Sequence, residues 1–311
     1  MNPEQFGKGG LHVEDRRDYV FGASEPFDWS EPTEFNVPLI PSNQQSSLSC
    51  VGQTTMNMAK IAWYQNRNTL QDFSARFIYS QIFQPQGGAY GRDGMNILVN
   101  QGTSKNDIYP SDPQTETHMR DKTGLIPAQA QAIGFDIYEG QAYVGVDNFN
   151  IDEVARAIRD TGSCMVLAMG SNPGWSSPDV RPALPNESVW GHAVTGTQAL
   201  LRNGKRTIKF LNSWGLWGEN GYGYINEDYF ANRSVAAAFA FTKNYIKPMQ
   251  FQKLNDSAKK VFAVYQEKRF WILDWKSLEA LNGTNVSVNP SLNQIPYGGA
   301  IFVSSTDDPG V

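Results

Sequence analysis

A chain of 311 residues and 34.6 kDa is long enough to fold as one large two-layer domain with a satellite module. Its 40% hydrophobic and 18% charged content is that of an ordinary globular protein. No apolar run approaches the ~18 residues needed to span a bilayer, and a net charge of -5 without Lys/Arg clusters argues against nucleic acid as a ligand.

In chain order, residues 1–35 are rich in Gly, Pro, Asp and Glu without a sustained period, and are expected to form an extended N-terminal arm laid over the domain. They lack the features of a cleaved secretion signal. The polar stretch NQQSSLSCV ends at Cys50, where CVGQTTMNMAKIAWYQNR starts a helix with Val51, Met56, Met58, Ala59, Ala62 and Trp63 on one side and Gln53, Asn57 and Lys60 on another. Residues 73–84 predict a second helix capped by Asp72, DGMNILVNQG a third ending at Gly102, and IDEVARAIRDTG a fourth capped by Asp152 and stopped by Gly162.

The texture then changes to short β-type runs: CMVLAM, HAVTGTQALL, RTIKFLNSW and GYGYIN, with Asn203-Gly204 as a hairpin signal between two of them. A helical first half and an antiparallel second half predict an α+β protein of two lobes with a cleft between them. Residues 243–260 read as a linker. Residues 261–311 read as a small C-terminal α+β module, with a hairpin turning at Gln266 to Lys268, a short helix after it, and Trp271 and Trp275 used for packing.

Chemistry points to Cys50. A thiol attacks carbonyls as a thiolate, and a helix N-terminus favours negative charge. The histidines are His12, in the arm, His118, in the charged loop TETHMRDK, and His192, which opens a strand among small residues expected to leave its ring accessible. His192 lies 142 residues after Cys50, and the hairpin at Asn203-Gly204 brings Asn212 onto the neighbouring strand close to it. Cys164, in CMVLAM, reads as a small buried hydrophobe, and both cysteines as free thiols. The Asn-x-Ser/Thr triplets at Asn186, Asn232, Asn282 and Asn285 carry no weight.

QQSSLSCVGQ around Cys50, GHAVTG around His192 and NSWGLWGENGYGYI from Asn212 together resemble the papain-like cysteine peptidases, in their bacterial and phage forms more than the secreted, disulfide-bonded ones. The resemblance covers roughly residues 10–242 and implies a peptidase domain over 36–242, with a helical left lobe and a β-barrel-like right lobe. It implies Cys50 as nucleophile, His192 as general base and then acid, and Asn212 as the residue that orients the imidazole. Gln44 falls at the side-chain oxyanion donor, with Gln45 as the register alternative, and Trp214 would shield the His192–Asn212 pair. Gly87 and Gly88 are candidates for contacts to a substrate backbone, against the plainer reading of a loop turn. No metal or cofactor is expected, and the partner is a protein or peptide substrate. The family's usual Gly-Ser before the nucleophile is Leu48-Ser49 here, its usual aromatic or small follower is Val51, and no long inhibitory pro-segment is expected.

Two other readings belong to different classes. One is a catalytically weak papain-fold component, for example of a phage particle, making contacts through the arm and the C-terminal module. The other is transglutaminase-like acyl transfer, which the NSWG string disfavours. The expected location is cytoplasmic or virion-associated.

Overall fold

The segment that follows Cys50 folds as read, and its surroundings set the architecture. The computed structural model describes residues 3–12, 20–21, 27–33, 37–130, 132 and 143–241, and strands at 250–253, 261–265, 268–272, 286–288 and 297–301. By internal contacts the chain divides into two units, Met1–Lys243 and Asn244–Val311.

Five helices build the first lobe: α1 (Cys50–Arg67), α2 (Ala75–Ile82), α3 (Gly91–Gln101), α4 (Glu116–Arg120) and α5 (Leu125–Ala130). A sixth, α6 (Ile151–Thr161), packs in the second lobe. The caps differ from those expected, because a cap must precede the first turn with its side chain aimed at a free backbone N–H. Ser74, not Asp72, accepts from the Phe77 N–H at 3.0 Å. Asn150, not Asp152, accepts from the Asp152 N–H at 3.0 Å. The helix ends hold at Gly102 and Gly162.

Helix α1 is not the amphipathic surface helix that its pattern implies. Gln53 and Asn57 are as buried as Met58 and Ile61, since the helix lies between its helical neighbours and the sheet. Its polar side is therefore internal: Gln53 Nε2 donates to Gln114 Oε1 at 2.8 Å.

Among the described residues of the first unit, ten strands occur: β1 (Gly10–Leu11), β2 (Val20–Phe21), β3 (Ala89–Tyr90), β4 (Tyr143–Val146), β5 (Cys164–Gly170), β6 (Asp179–Val180), β7 (Trp190–Arg202), β8 (Lys205–Leu211), β9 (Tyr222–Asn226) and β10 (Val235–Phe241). Eight of them form a sheet in the order β2-β4-β10-β5-β7-β8-β9-β6, antiparallel through its centre and parallel at both ends. The sheet is open, which corrects the barrel-like expectation: its terminal strands, β2 and β6, do not pair. Asn203 and Gly204 both have positive φ, 52° and 74°, as a two-residue turn matched to strand twist requires, and β7 and β8 pair across them.

Apolar side chains collect in two cores, one around α1–α3 and the other between α6 and the sheet, and strands β5, β7 and β10 contribute to both. The arm is part of this assembly. Strand β1 pairs in parallel with β3, and the backbone and hydroxyl of Thr33 clip onto Ala199 of β7.

The second unit is a five-stranded sheet ordered β14-β11-β12-β13-β15, comprising β11 (Gln250–Lys253), β12 (Val261–Tyr265), β13 (Lys268–Ile272), β14 (Val286–Val288) and β15 (Tyr297–Ile301). The expected hairpin is the antiparallel β12–β13 pair. The segment read as a linker supplies strand β11, because its backbone finds partners on both sides, in β12 and β14. The short helix expected after the hairpin, and the packing of Trp271 and Trp275, lie outside the described residues.

Candidate active site

The site is assembled where the N-terminus of α1 meets the start of β7. Cys50 is the first residue of α1. The N–H groups of Ala193, Gly9 and Val51 face its sulfur and favour its charged form, yet complete burial outweighs them and pushes the thiol pKa up.

His192 sits on β7 opposite Ala168 of β5, next to the Ala193 that faces the thiol. Its Nε2 lies 2.9 Å from Asn212 Oδ1. The same oxygen accepts the Ser213 N–H at 2.8 Å, which identifies it as the carbonyl side of the amide. Nε2 therefore carries the proton and donates. Nδ1 is left as a lone pair, buried and without a hydrogen-bond partner. The strands of the Asn203-Gly204 hairpin deliver this pair, with Asn212 directly after β8.

Aromatic rings enclose the imidazole. Trp214 lies 4.6 Å from it between ring centroids, with Trp175 at 5.6 Å and Trp190 at 6.3 Å. Contrary to the expectation of an accessible ring, His192 has 0% exposure. Burial lowers its pKa to about 4, with the Lys8 charge acting in the same direction and the Asn212 hydrogen bond opposing it. In this closed arrangement, thiol and imidazole are a neutral pair.

The arm closes the cleft. Phe6 stacks on Trp214 at 5.2 Å and 8°. Lys8 Nζ donates to Asn172 Oδ1 at 2.9 Å and lies 5.1 Å from the Trp190 ring centre. The Gly9 N–H faces the Cys50 sulfur, and the Gly9 carbonyl accepts from Ala89 N–H at 2.8 Å. Gly9, Gly10, Gly88 and Gly191 permit this approach: a Cβ on Gly191 would sit 2.1 Å from Gly10 O, and one on Gly88 2.2 Å from Gly9 O. The arm residues between Phe6 and Leu11 thus cover the Cys50 and His192 region.

Gln44 is fully buried, and its orientation is fixed from the carbonyl side, because Ser213 Oγ donates to its Oε1 at 2.5 Å. Its Nε2 then has two hydrogens to donate, one to Ser47 O at 2.7 Å and one to Gly7 O at 2.9 Å. The second partner is a peptide carbonyl of the arm. Gln45, the register alternative, is exposed in a left-handed conformation with φ 49°.

Leu48 is accommodated by a device outside the motif. Its N–H donates to Glu116 Oε2 at 2.7 Å, while Glu116 Oε1 accepts from Tyr79 OH at 2.8 Å and from Arg120 Nε at 2.5 Å. Its side chain lies over Gly87, whose added Cβ would be 2.2 Å from Leu48 Cδ1. Gly87 and Gly88 have φ of 96° and 75°, so they do form a turn, and that turn lines the occupied cleft.

Sequence reasoning missed Glu116, Asn172, Trp175 and Trp190, and the role of the arm. Trp190 adjoins the GHAV string, and the tryptophan concentration around it was a usable signal. Glu116, within TETHMRDK, carried none. His118 is elsewhere, with its Nε2 3.0 Å from Pro110 O. Cys164 is buried on the sheet with its pKa raised by burial, and both cysteines are free. Among the described residues, no group of three His, Cys, Asp or Glu could hold a metal.

No protein-family profile and no curated protein matches the chain. Solved structures do. Xylellain, a cysteine protease from Xylella fastidiosa, superposes with a TM-score of 0.60 at 19% identity, over 76% of this chain and 95% of its own. The digestive procathepsin L 3 of Tenebrio molitor gives 0.58 at 18%, over 75% of each chain. The bromelain protease from Ananas comosus, in complex with the E64 inhibitor, gives 0.50 at 18%, over 66% of this chain and 93% of its own. The fold is that of the papain-like cysteine proteases. In this papain-like fold, the junction of α1 with β7 is the described location of the Cys50, His192 and Asn212 group.

Proposed function

We propose that this chain is a cysteine peptidase whose cleft is held closed by its own N-terminal arm. The observation that carries the reading is the state of His192: Nε2–H is committed to Asn212, the Nδ1 lone pair stays unpartnered, and the next residue, Ala193, turns its N–H to the Cys50 sulfur. A base oriented by a third group, next to a nucleophile on a helix N-terminus, is the arrangement that nucleophilic acyl transfer needs.

Once the arm leaves, His192 Nδ1 takes the thiol proton and the Cys50 sulfur bonds to the peptide carbonyl carbon. The carbonyl electron pair moves to oxygen, where the Gln44 Nε2–H released from Gly7 and the Cys50 N–H hold it. Collapse breaks the C–N bond as His192 returns its proton to the leaving amine. Water then attacks the thioester with His192 again as base, releasing a carboxylate and restoring the thiol. Trp214 keeps bulk water off the His192–Asn212 bond.

The filled cleft also suits a second reading, a papain-fold structural or interaction protein that never opens, such as a virion component. One experiment separates the two. Bromelain is described in complex with E64, and an epoxysuccinyl probe of that class is applied to the wild type, to Gly9→Val and to Cys50→Ala, with intact-mass readout. A side chain at position 9 would meet Leu48 O at 2.3 Å, so the valine expels the arm. The peptidase reading expects slow labelling of the wild type, fast labelling of Gly9→Val at Cys50, and none at Cys164 or in Cys50→Ala. An unlabelled Gly9→Val protein removes this reading and leaves the structural one.

A further inference from the structure

We infer that Trp190 and Asn172 form a subsite for a primary ammonium group, the lysine side chain of a peptide bound in the cleft beside His192. The inference rests on reading the cleft as a peptide-binding site, and it goes further by naming a side chain that the site selects.

The arm is a peptide already seated there. Lys8 places Nζ 2.9 Å from Asn172 Oδ1 and 5.1 Å from the centre of the Trp190 ring. Both groups belong to the domain rather than to the arm; Asn172 Nδ2 also donates to Glu4 Oε1 of the arm at 3.4 Å. Trp190 Nε1–H donates to the same Asn172 Oδ1 at 2.9 Å, so the amide oxygen is presented as an acceptor whether or not a lysine is present. Asn172 leads into the turn Pro173–Trp175, pinned by Gly174 N–H to Ser171 Oγ at 3.1 Å and Trp175 N–H to Ser171 O at 3.0 Å. Trp190 is braced edge-on by the fully buried Trp175 at 5.3 Å.

Among the described residues, the lining supplies no carboxylate of the domain that is not already engaged. Burial at this position pushes the Lys8 pKa down, and Glu4, which opposes that shift, is part of the arm and would leave with it. Glu187, close by through Ser171, is committed to Arg181 at 2.5 Å. Recognition therefore falls to a π-face and one oriented carbonyl oxygen, which bind an ammonium group and gain nothing from an apolar chain of equal length. A cation–π contact with one charge-assisted hydrogen bond corresponds to about a tenfold preference over the neutral isostere.

The test uses the full chain carrying Gly9→Val, to free the cleft, and Cys50→Ala, to prevent turnover. Fluorescence anisotropy compares a labelled peptide EQFGKGGL with its counterpart containing norleucine in place of lysine. The lysine peptide is expected to bind about tenfold more tightly, and the ratio to fall to about one when Trp190→Leu or Asn172→Leu is added. Equal affinities overturn the subsite and leave the peptidase reading standing. A lysine preference, together with a Cys50 thiol that never reacts, overturns the peptidase reading and leaves the subsite. If neither peptide binds, the subsite is overturned. A second measurement needs no opened cleft: in the otherwise unaltered chain, Lys8→Met should raise the rate of Cys50 labelling about tenfold and add nothing on top of Asn172→Leu. An unchanged or fully additive rate contradicts the proposal.

Discussion

Gln44 shows how one side chain is made ready for a carbonyl oxygen. Its own carbonyl is held by Ser213 and one amide hydrogen by Ser47, which leaves a single N–H aimed at the cleft, where Gly7 O now sits. In the arm-released Gly9→Val protein, Gln44→Ala is expected to lower kcat/KM by about 10²- to 10³-fold, with the rate of probe labelling as a check that the thiol is intact. Leu48 and Gly87 form a matched pair, the larger residue resting where the smaller one has no side chain. Gly87→Ala adds both a contact with Leu48 and a left-handed strain, and should destabilise the fold by about 1–3 kcal/mol in urea unfolding, with partial recovery in Gly87→Ala/Leu48→Ala. Cys50, His192 and Asn212 could be read from the sequence because their chemistry is rare and their spacing fixed. Glu116 could not, since an acid in a charged loop looks the same whether it faces water or anchors the Leu48 N–H.

At the scale of elements, the hairpin at Asn203-Gly204 was legible because positive φ at two successive residues restricts which residues fit. It is also what sets His192 beside Asn212. The caps were less legible, because several polar residues precede each helix and only the backbone decides which of them reaches a free N–H. Asn150→Ala should cost about 1 kcal/mol through loss of the bond to the Asp152 N–H, whereas Asp152→Asn should leave that cap intact; thermal unfolding distinguishes the two. The extent of helix α1 was legible, but the burial of its polar side was not. Its polar residues suggest a wet face, but the helix is surrounded, and Gln53 is satisfied by Gln114 instead of water.

For the whole molecule, the docked arm contributes to protonation at the site, since Lys8 lowers the His192 pKa in the same direction as burial. The closed form holds His192 at about 4 against an ordinary 6.5, and raises the Cys50 thiol above its ordinary 9.0. The open form therefore binds the additional proton as pH falls from 6.5 towards 4, and loses one more readily as pH rises above 9.0. Closure is strongest between these limits, and acidification through the lower window weakens it. Amide exchange at Gly9 measured against pH should accelerate on the acid side of 6.5, and do so less in His192→Asn, which has no imidazole to protonate. A profile identical in both proteins would detach the arm from His192.

The sequence by itself determined the α+β class and the strands and helices that carry Cys50, His192 and Asn212, because local periodicity and turn chemistry are properties of short stretches. Only the tertiary structure decided that the cleft is occupied. Phe6, Lys8 and Gly9 carry no pattern in EQFGKGGL, and their partners Trp214, Asn172, Trp190 and Gly88 lie between 79 and 208 positions away along the chain. Pairing at such separations depends on shape, on glycines that let two backbones touch, and on which carbonyl meets which amide. Those quantities exist only after the chain has folded.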